Sequence, residues 1–187
     1  MNQSNHTNHS GNCHEAILLM DLQPRLLSTI SNSSTLLSAN CILAQASNIV
    51  GIPLIFTEQV PDKLGNTNSS LLENLNDYEV VIKDSFSAFG SSGFCEIISS
   101  LNIQKLVISG VETSICVFFT AMDALNHGLD VSVISDCVGS RRKEDGDQAL
   151  RQIQHLGAKV IPLETFLFGK LKTSSHSSFR EISGLIK

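Results

Sequence analysis

The sequence predicts a three-layer α/β fold of the Rossmann type, in which helices cover both faces of a mainly parallel sheet of about six strands. The apolar runs of the chain are short and lack polar alternation, which is typical of strands buried on both faces. Segments with helical spacing separate these runs, as expected for parallel strands joined by crossover helices. With 42% hydrophobic residues among 187, the chain can form one large core.

The predicted strands fix where the loops of the chain lie. Each predicted strand is a run of aliphatic residues that ends at a polar residue, a glycine or a turn signal. The six runs are AILLMD (16–21), IPLIFTE (52–58), YEVVIK (78–83), KLVISG (105–110), DVSVISD (130–136) and AKVIPLE (158–164).

The segments between the strands read mostly as helices. The segment 34–51 has helical spacing and is closed by Gly51, a good C-terminal stop. A polar loop, QVPDKLGNTNSS (59–70), and a helical turn, LLENLN (71–76), precede the third strand. Further helices are predicted over 89–102, 113–128 and 143–157, and a helical tail over 166–187.

Length and composition predict one domain over residues 16–187, preceded by a polar, histidine-containing tail over 1–15 that we expect to be disordered. A net charge of -5 without a long basic run argues against nucleic-acid binding. No apolar run reaches the ~18 residues of a membrane span, so a cytoplasmic protein without membrane contact is expected. The five cysteines have neither a metal-ligand spacing nor the pattern of a disulfide framework.

Ligands of open parallel sheets bind beyond the carboxyl ends of the strands. Three residues with reactive side chains lie at such ends. Asp21 ends the first strand, Lys83 ends the third, and Cys116 follows the fourth at the start of the next helix. Because these ends lie along one edge of the sheet, we expect the three side chains to converge.

The three side chains together have the chemistry of a thiol hydrolase without histidine. A helix N-terminus lowers the pKa of a cysteine there, and the thiolate is the nucleophilic form. Asp21 is placed to take the thiol proton, and Lys83 to stabilise both anions. Backbone N–H groups at the helix start face a developing oxyanion. Each residue also has a structural explanation: a small buried apolar group for Cys116, a turn cap for Asp21, and a solvated edge residue for Lys83.

The segments AILLMDLQ, VVIKDSFSAF and ISGVETSICVFFTAMDALNHGLDVSVISDCVGSR, in this order, resemble the isochorismatase-like cysteine hydrolase family. That family includes nicotinamidases and N-carbamoylsarcosine amidases, and the resemblance extends from Ala16 to Lys187. The segment FTEQVPDKLGNT and the tail ETFLFGKLKTSSHSSFREISGLIK look most like the branch called isochorismatase domain-containing proteins, whose substrates are poorly defined.

The resemblance implies a catalytic triad of Asp21, Lys83 and Cys116. It also implies a cis peptide bond between Val111 and Glu112, with the backbone amides near Glu112 and Cys116 forming the oxyanion hole. Nicotinamidases carry an Asp and His cluster after the second strand that binds a divalent metal. FTEQVPDKLGNT contains no histidine, so we expect no catalytic metal and no cofactor.

The sequence thus predicts a hydrolase that attacks a small amide or ureido carbonyl through a covalent thioester. Thr57 and Gln59 end the second strand and are candidates for substrate contact, and Phe86 and Phe89 are candidates for the pocket wall, with ordinary core packing the alternative. A homo-oligomer is expected, with FFTAMDAL as a candidate interface. The competing functions are a catalytically silent interaction module and a redox sensor using Cys116. A nuclease is disfavoured by the acidic composition.

Overall fold

Six parallel strands form one sheet in the computed structural model of the chain, which describes residues 14–187. The strands are β1 (Glu15–Met20), β2 (Leu54–Gln59), β3 (Glu79–Lys83), β4 (Lys105–Val111), β5 (Asp130–Gly139) and β6 (Lys159–Ile161). Their order across the sheet is β3-β2-β1-β4-β5-β6, and every neighbouring pair is parallel. The α/β fold predicted from the alternation of apolar runs and helical segments is therefore confirmed.

Helices connect the strands and cover the sheet. They are α1 (Pro24–Leu27), α2 (Ser33–Val50), α3 (Pro61–Leu64), α4 (Ser92–Ser100), α5 (Phe118–Asn126), α6 (Lys143–His155), α7 (Leu163–Leu171) and α8 (Phe179–Leu185). Helix α2 ends as predicted, with Gly51 in the left-handed conformation at its C-terminal cap. None of the helices in the described range is long and apolar enough to cross a membrane.

Several predicted boundaries are wrong. The predicted helical tail (166–187) is two helices, because residues 172–178 between α7 and α8 are turns and bends. The predicted turn LLENLN is not helical: the 3₁₀ turn here covers Ser69–Leu71, where Asn68 accepts a bond from the Ser70 amide. The predicted helix 113–128 begins as a π-helical turn, Thr113–Val117, before α5. The predicted tail lies outside the described residues, except for His14 and for Glu15, which belongs to β1.

The core lies on both faces of the sheet, as expected for strands without polar alternation. Along β1 the side chains alternate between two apolar clusters: Ile17 and Leu19 pack into one, and Leu18 and Met20 into the other. All four are fully buried. Both faces of this central strand are therefore covered, which leaves its carboxyl end as the place where polar chemistry meets solvent.

Strands β1 and β4 approach most closely at Gly110. This glycine pairs with Met20 across the ladder and has a φ of 104°, a conformation that side chains with a Cβ rarely adopt. A Cβ at this position would lie 2.1 Å from the Met20 carbonyl oxygen. Glycine at position 110 therefore lets the two strands lie side by side at the point where the strand order reverses, next to Asp21.

Replacing Gly110 with alanine is expected to lower the free energy of unfolding by at least about 2 kcal/mol, because overpacking and an unfavourable φ add. Urea unfolding followed by circular dichroism measures this loss. Gly169→Ala in α7 is the matched control, since a Cβ there meets no neighbouring atom within 4 Å. Equal stability of the two variants would contradict the close approach of β1 and β4.

Candidate active site

The structure brings Asp21, Lys83 and Cys116 together at the carboxyl edge of the sheet. The Lys83 ammonium donates to Asp21 Oδ2 at 2.8 Å and to the Cys116 sulfur at 3.8 Å. Asp21 is fully buried, Lys83 is 3% exposed and Cys116 is 7% exposed. Three residues separated by up to 95 positions in sequence thus share one small polar space beneath the surface.

Asp21 owes its orientation to the end of β1. Its backbone has a φ of 53°, in the left-handed region that aspartate tolerates better than most residues, and its amide donates to the Thr57 carbonyl at 3.1 Å. The Thr57 hydroxyl donates to Asp21 Oδ1 at 2.6 Å. Each carboxylate oxygen therefore accepts a hydrogen bond, one from Thr57 and one from Lys83, so the buried anion is well solvated by protein groups.

Lys83 is surrounded by acceptors at the end of β3. In addition to Asp21 and Cys116, its Nζ donates to Gln59 Oε1 at 2.5 Å and to the Ser85 carbonyl at 3.2 Å. The Phe86 carbonyl lies at 3.4 Å. These contacts hold the ammonium in one position between the carboxylate and the thiol. Thr57 and Gln59 are candidates for substrate contact in the sequence. Their side chains hold the Asp21–Lys83 pair, and contact with a substrate stays a prediction.

Gln23 supports this arrangement and was missed from the sequence. It is fully buried, and its side chain forms two bonds with the Gln59 backbone: Nε2 donates to the carbonyl at 3.1 Å and Oε1 accepts from the amide at 2.8 Å. The same Nε2 donates to the Gly65 carbonyl. Gln23, in the loop between β1 and α1, therefore ties this loop to the end of β2 and to Gly65 after α3. Its only sequence signal is its place at the end of AILLMDLQ.

Cys116 lies in the π-helical turn and not at the start of an ordinary α-helix. The Val117 amide donates to the Glu112 carbonyl, five residues earlier in the chain, at 3.2 Å. This spacing makes the turn wider than an α-helix. The peptide bond between Val111 and Glu112 is cis, at the position that the resemblance implied. The Glu112 carbonyl also accepts from the Ile115 amide at 3.1 Å, so Glu112 bonds both neighbours of Cys116.

The expectation that the pKa of Cys116 is lowered is wrong. Burial, and after it the negative charge of Asp21, raises the pKa of the Cys116 thiol to about 12. The positive charge of Lys83 lowers it but does not outweigh burial. The resting site thus combines a neutral thiol with an Asp21–Lys83 ion pair.

This raised pKa predicts the pH dependence of alkylation. The rate at which iodoacetamide alkylates Cys116 should rise about tenfold for each pH unit between about pH 8 and pH 10, because the thiolate fraction grows in that proportion below the pKa. Peptide mass spectrometry after timed quenching measures this rate. The chain unfolded in urea is the control, and its alkylation rate should level off just above the ~8.5 pKa of a free thiol. A plateau for the folded protein at or below that pH would contradict a buried, protonated thiol.

The two phenylalanines after Lys83 lie in different places. Phe86 is 60% exposed beside the loop that contacts Lys83, and it remains a candidate for substrate contact. Phe89 stacks on His127, with ring centroids 4.8 Å apart, and meets Phe94 edge to face at 5.1 Å. Phe89 is therefore part of the packing between α4 and α5, in agreement with the core alternative.

Metal-ligating side chains do not cluster near the triad. Within residues 14–187, no group of three or more His, Cys, Asp or Glu side chains is arranged to hold a metal ion. Glu58, which follows Thr57 on β2, is 6% exposed and accepts a hydrogen bond from the Thr67 amide at 2.6 Å. This carboxylate therefore anchors the polar loop after β2.

Comparison with known proteins gives concordant matches. A family model described as Isochorismatase domain matches residues 15–165. Isochorismatase domain-containing protein 2 of Danio rerio is 32% identical over 171 residues, covering 91% of this chain and 85% of that protein. Isochorismatase family protein 1B of Dictyostelium discoideum is 27% identical over 179 residues, covering 92% and 85%. The solved structure of MAR1 ribonuclease from Caenorhabditis elegans has a TM-score of 0.88 at 30% identity, covering 94% and 91%.

Proposed function

Because the chain belongs to the isochorismatase family, we propose that it is a cysteine-dependent hydrolase that acts on a small amide, ureido or related carbonyl substrate. The observation that carries the proposal is the position of the Lys83 ammonium, 2.8 Å from Asp21 Oδ2 and 3.8 Å from the Cys116 sulfur. Thiol catalysis needs a base and a nucleophile held close together, and here one buried cation contacts both.

In this mechanism the thiol loses its proton during the attack and not before it. Asp21 takes the proton while the sulfur attacks the carbonyl carbon, and the Lys83 ammonium, in contact with both side chains, keeps them side by side. Lys83 keeps the carboxylate in place and offsets the negative charge that develops on sulfur. A thiol that is neutral before the attack fits this mechanism, because the buried site then contains no free thiolate that could be oxidised.

The remaining steps balance the proton and release the product. The oxyanion of the tetrahedral intermediate is held by the backbone amides near Glu112 and Cys116. Asp21 passes its proton to the leaving nitrogen, the C–N bond breaks, and a thioester remains on Cys116. Water then attacks the thioester, gives its proton to Asp21, and the proton returns to the sulfur as the acid leaves.

The proposal is tested by measuring ammonia release from a panel of small primary amides and ureido compounds. The parent chain should hydrolyse members of the panel, and Cys116→Ser should not. A parent that hydrolyses no member, although Cys116 is alkylated as described above, would contradict a hydrolase of this substrate class.

A ribonuclease is the second candidate, because the C. elegans protein with 30% identity is named a ribonuclease. The site of the present chain argues against the usual chemistry of such enzymes, since no histidine contacts Asp21, Lys83 or Cys116 in the described part of the chain. RNA hydrolysis by the parent that persists in Cys116→Ser would favour an activity elsewhere on the molecule.

An oligomeric interaction module remains the non-enzymatic alternative. Edge strand β3 exposes 43% of Val80 and 63% of Ile82, and the exposed Phe86 follows it, so an apolar surface is present that a second copy would cover. Light scattering measures the assembly, and the amide panel separates an oligomeric hydrolase from a silent module. Redox sensing is disfavoured because it requires an exposed thiolate, whereas Cys116 is buried and its pKa is raised.

A further inference from the structure

Glu112 makes two sets of contacts around the π-helical turn (Thr113–Val117) that carries Cys116. Its carboxylate accepts from Arg141 Nε at 2.7 Å and from the Arg141 amide at 3.2 Å. Its carbonyl oxygen accepts from the amides of Ile115 and Val117, the two neighbours of Cys116, at 3.1 and 3.2 Å. One residue therefore connects a surface arginine to the turn that carries the sulfur.

The two partners of this ion pair differ in exposure. The Glu112 side chain is 10% exposed, whereas that of Arg141 is 58% exposed. A carboxylate that is nearly buried needs a partner, and Arg141 supplies both a guanidinium N–H and its own backbone N–H. Arg141 lies just after β5, so the pair also ties the end of that strand to the turn after β4.

We propose that Arg141 is a positioning residue for Cys116, acting through Glu112. By fixing both carboxylate oxygens of Glu112, it holds the π-helical turn that carries Cys116 and so keeps the sulfur beside the Lys83 ammonium. This role rests on the proposed function only in taking Cys116 as the nucleophile. Arg141 lies just after β5, a different strand from those that carry Asp21, Lys83 and Cys116. It would be a fourth residue of the site, beside the three that the family resemblance implied.

The other charged groups around Cys116 are not connected to Arg141. The sulfur faces Asp21 from the end of β1 and Lys83 from the end of β3, and these two are held by each other, by Thr57 and by Gln59. Removing the Arg141 side chain therefore leaves their contacts in place. A change in thiol reactivity would report the loss of the Arg141 cation and of its contact with Glu112.

The test is the pH profile of Cys116 alkylation by iodoacetamide in Arg141→Ala and Arg141→Lys. A looser turn should weaken the contact between the Cys116 sulfur and Lys83 and lower the alkylation rate about tenfold at every pH below the pKa of the thiol in Arg141→Ala. Arg141→Lys keeps a cation and should recover part of the rate. Arg142→Ala is the matched control: its side chain is 81% exposed, its guanidinium lies 3.8 Å from Asp145, and it should react as the parent does.

Glu112→Gln keeps the test decisive if Arg141→Ala does not fold. It retains the volume and one acceptor for Arg141 but loses the charge, so its rate should fall between those of the parent and Arg141→Ala. Parent-like alkylation in Arg141→Ala, or in Glu112→Gln where only that variant folds, would overturn the inference. Because alkylation needs no substrate, this result is independent of whether the parent hydrolyses any amide.

Discussion

Replacing Cys116 with serine is expected to lower amide hydrolysis by at least about a thousandfold. A hydroxyl is a far weaker acid than a thiol, and the Asp21 carboxylate that would take its proton is already bound by the Lys83 cation and the Thr57 hydroxyl. No histidine is present at the described site to take the proton of a serine. Ammonia release under saturating substrate measures the loss.

Two controls separate this effect from unfolding. Cys116→Ser should keep the melting temperature of the parent within a few degrees, because the substitution changes little volume. Cys95→Ser replaces a half-buried cysteine of α4 that donates to the Phe89 carbonyl, away from the triad, and should keep full activity. Turnover of Cys116→Ser within tenfold of the parent would contradict covalent catalysis at this residue.

Replacing Lys83 with methionine should cost about 3 to 5 kcal/mol of unfolding free energy and abolish turnover. Methionine keeps most of the volume but removes the cation, which leaves the fully buried Asp21 carboxylate with the Thr57 hydroxyl alone. An uncompensated buried charge is among the most destabilising changes known in a core. Urea unfolding gives the free energy.

The double variant Asp21→Asn, Lys83→Met completes this experiment. Asparagine still accepts from Thr57 and carries no charge, so most of the lost stability should return while turnover stays absent. Lys143→Met is the matched surface control, because the pair of Lys143 with Asp147 lies on the surface and its loss should leave the stability nearly unchanged. A double variant no more stable than Lys83→Met would contradict the buried ion pair as the source of the effect.

The sequence predicted the fold and the meeting of the triad because both follow from patterns of hydrophobicity. The buried runs marked the strands, and parallel strands place their carboxyl ends on one edge, so Asp21, Lys83 and Cys116 had to lie near one another. The family resemblance added the cis bond at Val111–Glu112. Helices whose ends are set by caps and glycines, such as α2 at Gly51, were also predicted well.

The sequence could not predict what depends on tertiary packing. The pKa of Cys116 is set by its depth and by Asp21, which outweigh the helix terminus that the sequence suggests. The roles of Gln23 and Arg141 arise from contacts with residues 36 and 29 positions away. The sequence indicates Thr57 and Gln59 as candidates for substrate contact. Their hydrogen bonds to Asp21 and Lys83 are seen only in the structure.

In the proposed mechanism, Cys116 carries the acyl group during turnover. Quenching the reaction in acid, with an amide that the protein hydrolyses, and then measuring the mass of the Cys116 peptide tests this step. A parallel reaction contains hydroxylamine. We predict an acyl adduct on Cys116 and, with hydroxylamine, the hydroxamate in place of part of the acid product. Ammonia release with neither adduct nor hydroxamate would contradict the thioester mechanism.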